Sequence, residues 1–144
     1  MYKHILIATD GSELAQKAVK AGLVLARTLG AKATAVTVSE PWTSAAGGDV
    51  PAGFPFDAYE KAAAQAAAEI LTSVSNVAKQ LDITCATVHL KTYPAEGILQ
   101  AAKERGCDLI VMASHGRRGF TRLLLGSQAM RVLTGSSVPV LVCR

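Results

Sequence analysis

The residues of this chain best placed to do chemistry run from Ala113 to Ser127: Ala-Ser-His-Gly, nine further residues after Gly116, then Gly126-Ser127. Small residues let backbone N–H groups come close to an oxyanion. A helix starting at Ser127 adds unpaired N–H groups and the positive end of a helix dipole. Arg117, Arg118 and Arg122 concentrate much of the formal net charge of +4 in the same stretch, which points to a local anionic ligand rather than to a nucleic-acid surface. Together these features outline a phosphate cradle, so nucleotide binding is the first function to consider.

Other chemistries fit less well. No Lys precedes Ser127, so the loop is not a P-loop, and no GxGxxG follows the first apolar strand. Gly116-Arg-Arg-Gly119 has the form of a KH-domain GXXG clamp, but a strand precedes it where a helix is required. A phosphorelay receiver needs an acidic cluster and a lysine at its strand ends, whereas here strand three ends in Thr92 and strand five in Arg144. His115 has no second His or carboxylate at metal-ligand spacing, and His4 and His89 fall in strand-like runs, so His115 reads as a ligand contact or a bystander. Nothing marks Glu40, Asp49 or Asp57 as metal ligands; no protein metal site is assigned, and any Mg²⁺ would arrive with a nucleotide. The cysteines, Cys85, Cys107 and Cys143, are odd in number and widely spaced, and read as buried thiols.

The elements that must position the cradle follow from pattern. Lys3 to Thr9 reads as a strand, broken by Asp10-Gly11 with Ser12 as a helix cap. Leu14, Ala18, Ala21, Leu25 and Leu29 mark the apolar face of a helix ending at Gly30. Lys32 to Val38 is a second strand. Ser39 to about Asp57, rich in Gly, Pro and Ala but holding Trp42, Phe54 and Phe56, reads as a long loop. Ile70, Val74, Val77 and Leu81 mark a second long helix, Thr84 to Lys91 a third strand, and Pro94 opens a helix running to Arg105. Asp108 to Ala113 is strand four, and Val138 to Val142 is strand five. Helices between successive strands imply a parallel sheet covered on both faces, with ligands held at its carboxyl edge where strands one and four lie side by side.

The 144 residues suit one domain, residues 1–144, able to bury roughly 70% of its unfolded surface. Half of them are hydrophobic but only 5% aromatic, which favours close-packed helices on a sheet over a β-sandwich. No apolar run approaches the ~20 residues of a membrane span, and the chain reads as cytoplasmic.

The run Val111-Met-Ala-Ser-His-Gly-Arg-Arg-Gly-Phe-Thr-Arg-Leu-Leu-Leu-Gly-Ser127, with Val138-Pro-Val-Leu-Val beyond it, closely resembles the universal stress protein family. Lys3-His-Ile-Leu-Ile-Ala-Thr-Asp-Gly-Ser12 looks like that family's opening strand and turn, and Cys107-Asp-Leu-Ile-Val-Met112 like its fourth strand. The pattern of the nucleotide-binding branch, G-x-x-G-x9-G-[ST], is matched by Gly116, Gly126 and Ser127, with Ala113 in place of the first glycine. The methyl is tolerable if Ala113 is extended and weakens binding if that position requires a positive φ.

The resemblance implies a Rossmann-like or flavodoxin-like α/β fold with a five-stranded parallel sheet in the order 3-2-1-4-5. It implies ATP as ligand, with Ala8, Thr9, Val38 and Met112 lining the adenine pocket and Asp10 on the ribose. Gly116, Gly126, Ser127 and Gln128 would hold the phosphates through backbone N–H groups, aided by the Ser127 hydroxyl and the charge of Arg117. A Cβ at Gly126 is expected to point into space that the phosphates need. The apolar strand Val138–Cys143 would expose an edge, so a homodimer through it is expected. An ATPase needs a base beside the γ-phosphate, and the cradle offers arginines and backbone donors, so the function expected is a nucleotide-dependent stress-response or signalling module without fast catalysis. The alternatives are slow hydrolysis with His115 positioning water, and a nucleotide-free dimeric interaction module of the same family.

Overall fold

The three central strands, too apolar to face water on either side, are buried between two helical layers, while the two edge strands stay partly exposed. The computed structural model describes residues 1–45, 49–117 and 124–144. Its elements are β1 (His4–Ala8), α1 (Glu13–Leu29), β2 (Lys32–Ser39), α2 (Trp42–Ala45), α3 (Phe56–Gln80), β3 (Cys85–Lys91), α4 (Pro94–Arg105), β4 (Leu109–Ala113), α5 (Ser127–Gly135) and β5 (Val140–Cys143). The strands pair in parallel in the order β3-β2-β1-β4-β5, the order that the family resemblance implies.

Alternation along the central strands divides the core. Ile5, Ile7, Leu109 and Val111 point toward α1 and α3, while Leu6, Ala8, Ile110 and Met112 point toward α4 and α5. Local signals place the helix ends. Ser12 caps α1 by accepting the N–H of Ala15 at 3.3 Å, and Gly30 and Gly106 close α1 and α4 in the left-handed region at φ 65° and 63°.

The α1 face differs from the sequence expectation. Its buried residues are Ala15, Ala18, Val19, Gly22, Leu23 and Ala26, whereas Ala21 and Leu29 are exposed and Leu14 and Leu25 are half-buried. The helix approaches the sheet along its small residues around Val19 and the fully buried Leu23, and Leu14, Leu25 and Leu29 flank the contact. A Cβ on Gly22 would lie 2.8 Å from Ile7 Cγ1, which sets how closely the helix approaches β1.

Three further expectations need correction. The stretch 39–57 is not all loop: β2 runs through Ser39, Trp42–Ala45 forms a helical turn, and α3 begins at Phe56. Trp42 meets Phe56 edge-on with centroids 4.7 Å apart, and Phe54 meets Phe56 at 4.9 Å, so aromatic contacts order a segment without periodicity. β5 starts at Val140 rather than Val138, although the Pro139 carbonyl still accepts the N–H of Ile110 at 3.0 Å. Of the three free cysteines only Cys107 is buried, Cys85 and Cys143 being half-buried. Among the described residues no helix is long and apolar enough to cross a membrane.

Candidate functional site

The carboxyl ends of β1, β2 and β4 open onto a cleft of about 520 Å³. From β1 and its turn it takes Ala8, Thr9 and Asp10; from β2, Val38; from β4, Met112 and Ala113. Gly116 and Arg117 come from the loop after β4, and Gly126, Ser127 and Gln128 from the start of α5. Every described residue singled out from the sequence as a ligand contact therefore faces one space. Arg118 and Arg122 lie outside the described residues.

The turn after β1 is built around a carboxylate. Thr9 extends the ladder by donating its N–H to Val36 at 3.0 Å, and its hydroxyl oxygen accepts the N–H of Gly11 at 3.2 Å. Gly11 sits at φ +79°, where a side chain would be strained. Asp10 Oδ1 accepts the Ser12 N–H at 2.9 Å, and Oδ2 accepts the Arg117 N–H at 3.0 Å. Asp10 is thus a turn carboxylate as well as a cleft residue, since an ionised carboxylate has about four lone-pair directions and two are used here. Gly116 makes that reach possible: a Cβ there would lie 2.9 Å from Asp10 Oδ2.

The cradle is pinned at both ends. Ser114 donates its N–H to the Cys143 carbonyl at 2.7 Å, and Gly126 donates its N–H to the Ser114 carbonyl at 2.8 Å. This corrects two expectations about Gly126. Its N–H is already committed to Ser114, and a Cβ on it would meet Ser114 O at 3.0 Å and His115 Cα at 3.4 Å rather than point into ligand space. Gly126 is needed for close approach of two backbone segments. With glycine as its cap residue, α5 has no side chain bonded to its first turn. The first intrahelical bond runs from Met130 N–H to Gly126 O at 3.0 Å, so the N–H groups of Ser127, Gln128 and Ala129 precede the ladder at the positive end of the helix.

Ala113 ends β4 in extended conformation, paired with Cys143, and its methyl joins the α1-side core. The alanine therefore occupies a backbone state open to any residue. His115 places Nδ1 3.0 Å from Ser114 Oγ, and at the β2 end Ser39 Oγ lies 2.7 Å from His89 Nε2. Burial, with Lys91 nearby, lowers the His89 pKa, which favours the neutral ring. Among the described residues no group of three or more His, Cys, Asp or Glu could hold a metal ion.

The sequence reading missed the wall opposite the sheet. Tyr59, Ala63, Ala66, Ala67 and Ile70 of α3 line the cleft, and Tyr59 donates its hydroxyl to the Glu40 carbonyl at 3.3 Å. The signal was a run of alanines at helical spacing, small enough to leave room beside the strand ends.

The family model for the universal stress protein family matches residues 1–144. The chain belongs to the universal stress protein family. A universal stress protein of Methanocaldococcus jannaschii is 33% identical over 146 residues, covering 100% of this chain and 83% of the relative. Among solved structures, universal stress protein UspA from Lactobacillus plantarum superposes with a TM-score of 0.86 at 26% identity, covering 99% of this chain and 98% of that one. A universal stress protein described in complex with cAMP gives 0.76 at 22% identity, covering 99% and 97%. One from Archaeoglobus fulgidus in complex with dAMP gives 0.69 at 18%, covering 99% and 98%. At those identities the last two share the fold of this family member.

Proposed function

We propose that this universal stress protein domain binds ATP in the cleft and works as a nucleotide-dependent stress-response or signalling module. One observation carries the reading: the Asp10 carboxylate, the small-residue backbone at Gly116 and the first turn of α5 converge on a single cleft at the carboxyl edge of the sheet. In this arrangement Ala8, Thr9, Val38 and Met112 take the adenine, Asp10 the ribose, and the N–H groups of Gly116, Ser127 and Gln128 the phosphates, with the Ser127 hydroxyl and Arg117 adding to them. Mg²⁺ accompanies the nucleotide rather than occupying a site of the protein. The cAMP and dAMP complexes of fold relatives lend support to an adenine nucleotide.

Binding without fast turnover is the activity we assign. Asp10 spends each of its oxygens on a backbone N–H, and no step here needs it as a base. A slow hydrolase is the second reading, favoured by His115 lining the same cleft; phosphate release from ATP that His115→Ala abolishes would establish it. We also propose a cytoplasmic homodimer. Among the described residues β5 is the last strand of the sheet, beside β4, and Leu141 on it is 41% exposed, so a second copy would cover an apolar edge. The free thiols fit a reducing compartment.

The deciding experiment is intact mass spectrometry and the ultraviolet spectrum of freshly purified protein, followed by ATP titration calorimetry. Co-purified adenine nucleotide or saturable ATP binding is expected. Absence of both overturns the nucleotide reading, and sedimentation as a monomer at micromolar concentration overturns the dimer.

A further inference from the structure

Gln128 enters the ligand reading only through its backbone N–H, yet its side chain makes a separate and specific contact. The cap residue of α4, Tyr93, provides no side-chain cap, and Pro94 at the first helical position has no N–H to offer. The first amide of α4 that needs an acceptor is therefore that of Ala95, a residue only 5% exposed, and a buried N–H without a partner is costly. It donates to Gln128 Oε1 at 3.2 Å, 33 positions along the chain. Gln128 is the second residue of α5. The residue that caps α4 from outside is thus one whose own N–H lies ahead of the α5 ladder.

Both helix starts border the cleft: Pro94 and Ile98 line it from α4, Ser127 and Gln128 from α5. The Ala95–Gln128 bond therefore fixes the spacing of two adjacent positive helix ends that border one ligand space. We propose that Gln128 is a positioning residue whose side-chain oxygen, by capping α4, aims the first-turn N–H groups of α5 at the phosphates of a bound nucleotide. This rests on the nucleotide reading above, and it predicts that the side-chain bond governs affinity for the phosphate groups and not for the nucleoside.

Two variants test it. Gln128→Met keeps length but removes the acceptor; Gln128→Glu keeps an acceptor oxygen but adds a negative charge beside the cradle. Calorimetry at 25 °C with ATP and with adenosine is combined with hydrogen exchange at the Ala95 amide. The Met variant should lose Ala95 protection and bind ATP at least about threefold more weakly, the scale of one lost hydrogen bond, with adenosine affinity unchanged. The Glu variant should restore Ala95 protection yet weaken ATP, more at low salt than at high salt. Parent-like ATP affinity in the Met variant overturns the proposal, as does persistent Ala95 protection, or an equal loss for ATP and adenosine, which would mean general damage. A parent protein that binds no ATP overturns the nucleotide reading itself, an outcome distinct from a binding parent with equally binding variants.

Discussion

The Asp10 carboxylate accepts the backbone N–H of Arg117 at 3.0 Å across 107 positions of sequence, while its other oxygen holds the N–H of Ser12 at 2.9 Å. One side chain at the end of β1 thereby fixes both the turn into α1 and the loop leaving β4. Asp10→Ala removes both bonds and should lower folding stability by about 1–2 kcal/mol and ATP affinity by about 1–3 kcal/mol. Asp10→Asn, which keeps one acceptor, should fall between. Urea unfolding and calorimetry check this, and unchanged stability in the alanine variant would refute the tie.

Arg117 is exposed, so in the proposed site it would act on a phosphate through charge. Arg117→Ala should weaken ATP by about 1 kcal/mol or less, and the variant should show a shallower salt dependence. Titrations at low and high salt decide it; an equal loss at both salts contradicts an electrostatic role.

Gly126 should matter for folding and for binding together. A Cβ placed 3.0 Å from Ser114 O forces the α5 start away from β4. Gly126→Ala should cost about 1–3 kcal/mol of stability, the usual scale of overpacking, and Gly126→Val more, with ATP binding lost in the valine variant. Thermal melts and calorimetry on the same samples test this; a valine variant of parental stability would show that the two segments are not in contact.

Stability should fall on both sides of neutrality for identifiable reasons. The N–H groups of Lys3 and His4, at 2.8 and 3.0 Å, hold the Asp108 carboxyl below its ordinary value. Its contribution is present above about pH 4 and is lost as pH falls through the depressed value. On the alkaline side burial pushes Cys85 and Cys107 from 9.0 up to about 11. The unfolded chain releases those protons first, so stability declines as pH rises through that interval. Urea unfolding across pH should give a gentler acid slope for Asp108→Ala than for the parent. An identical slope would remove Asp108 from the account.

Features governed by local rules were legible in the sequence. Ser12, Gly30 and Pro94 act at helix ends through their own backbone preferences, and α4 spans Pro94–Arg105 as read. The sheet order and the convergence of Asp10, Gly116 and Ser127 were legible through the family resemblance. What escaped depended on tertiary distance. The α1 contact runs through Ala15, Ala18, Gly22 and Ala26 beside Val19 and Leu23, rather than through Leu14, Leu25 and Leu29, because which side of the helix meets the sheet is set by tertiary packing. The direction of a Cβ on Gly126 depends on where Ser114 lies, and the Gln128 cap depends on a helix that starts 34 residues earlier, at Pro94. Neither leaves a mark in spacing.

The strand order has a consequence for the newly made chain. β1 meets β2 through Ile5 and Ala33, but its other neighbour is β4, through Ile5 and Leu109. During synthesis β1 can pair on one side early, while its second edge stays open until Leu109 has emerged from the ribosome. Gly126 and the first turn of α5 come later still, followed by Cys143, which accepts the Ser114 N–H, so the cleft is assembled late. A ligand held there cannot guide early folding; it can only stabilise a finished domain by mass action. A chain truncated before Leu109 would present a bare apolar strand to its neighbours.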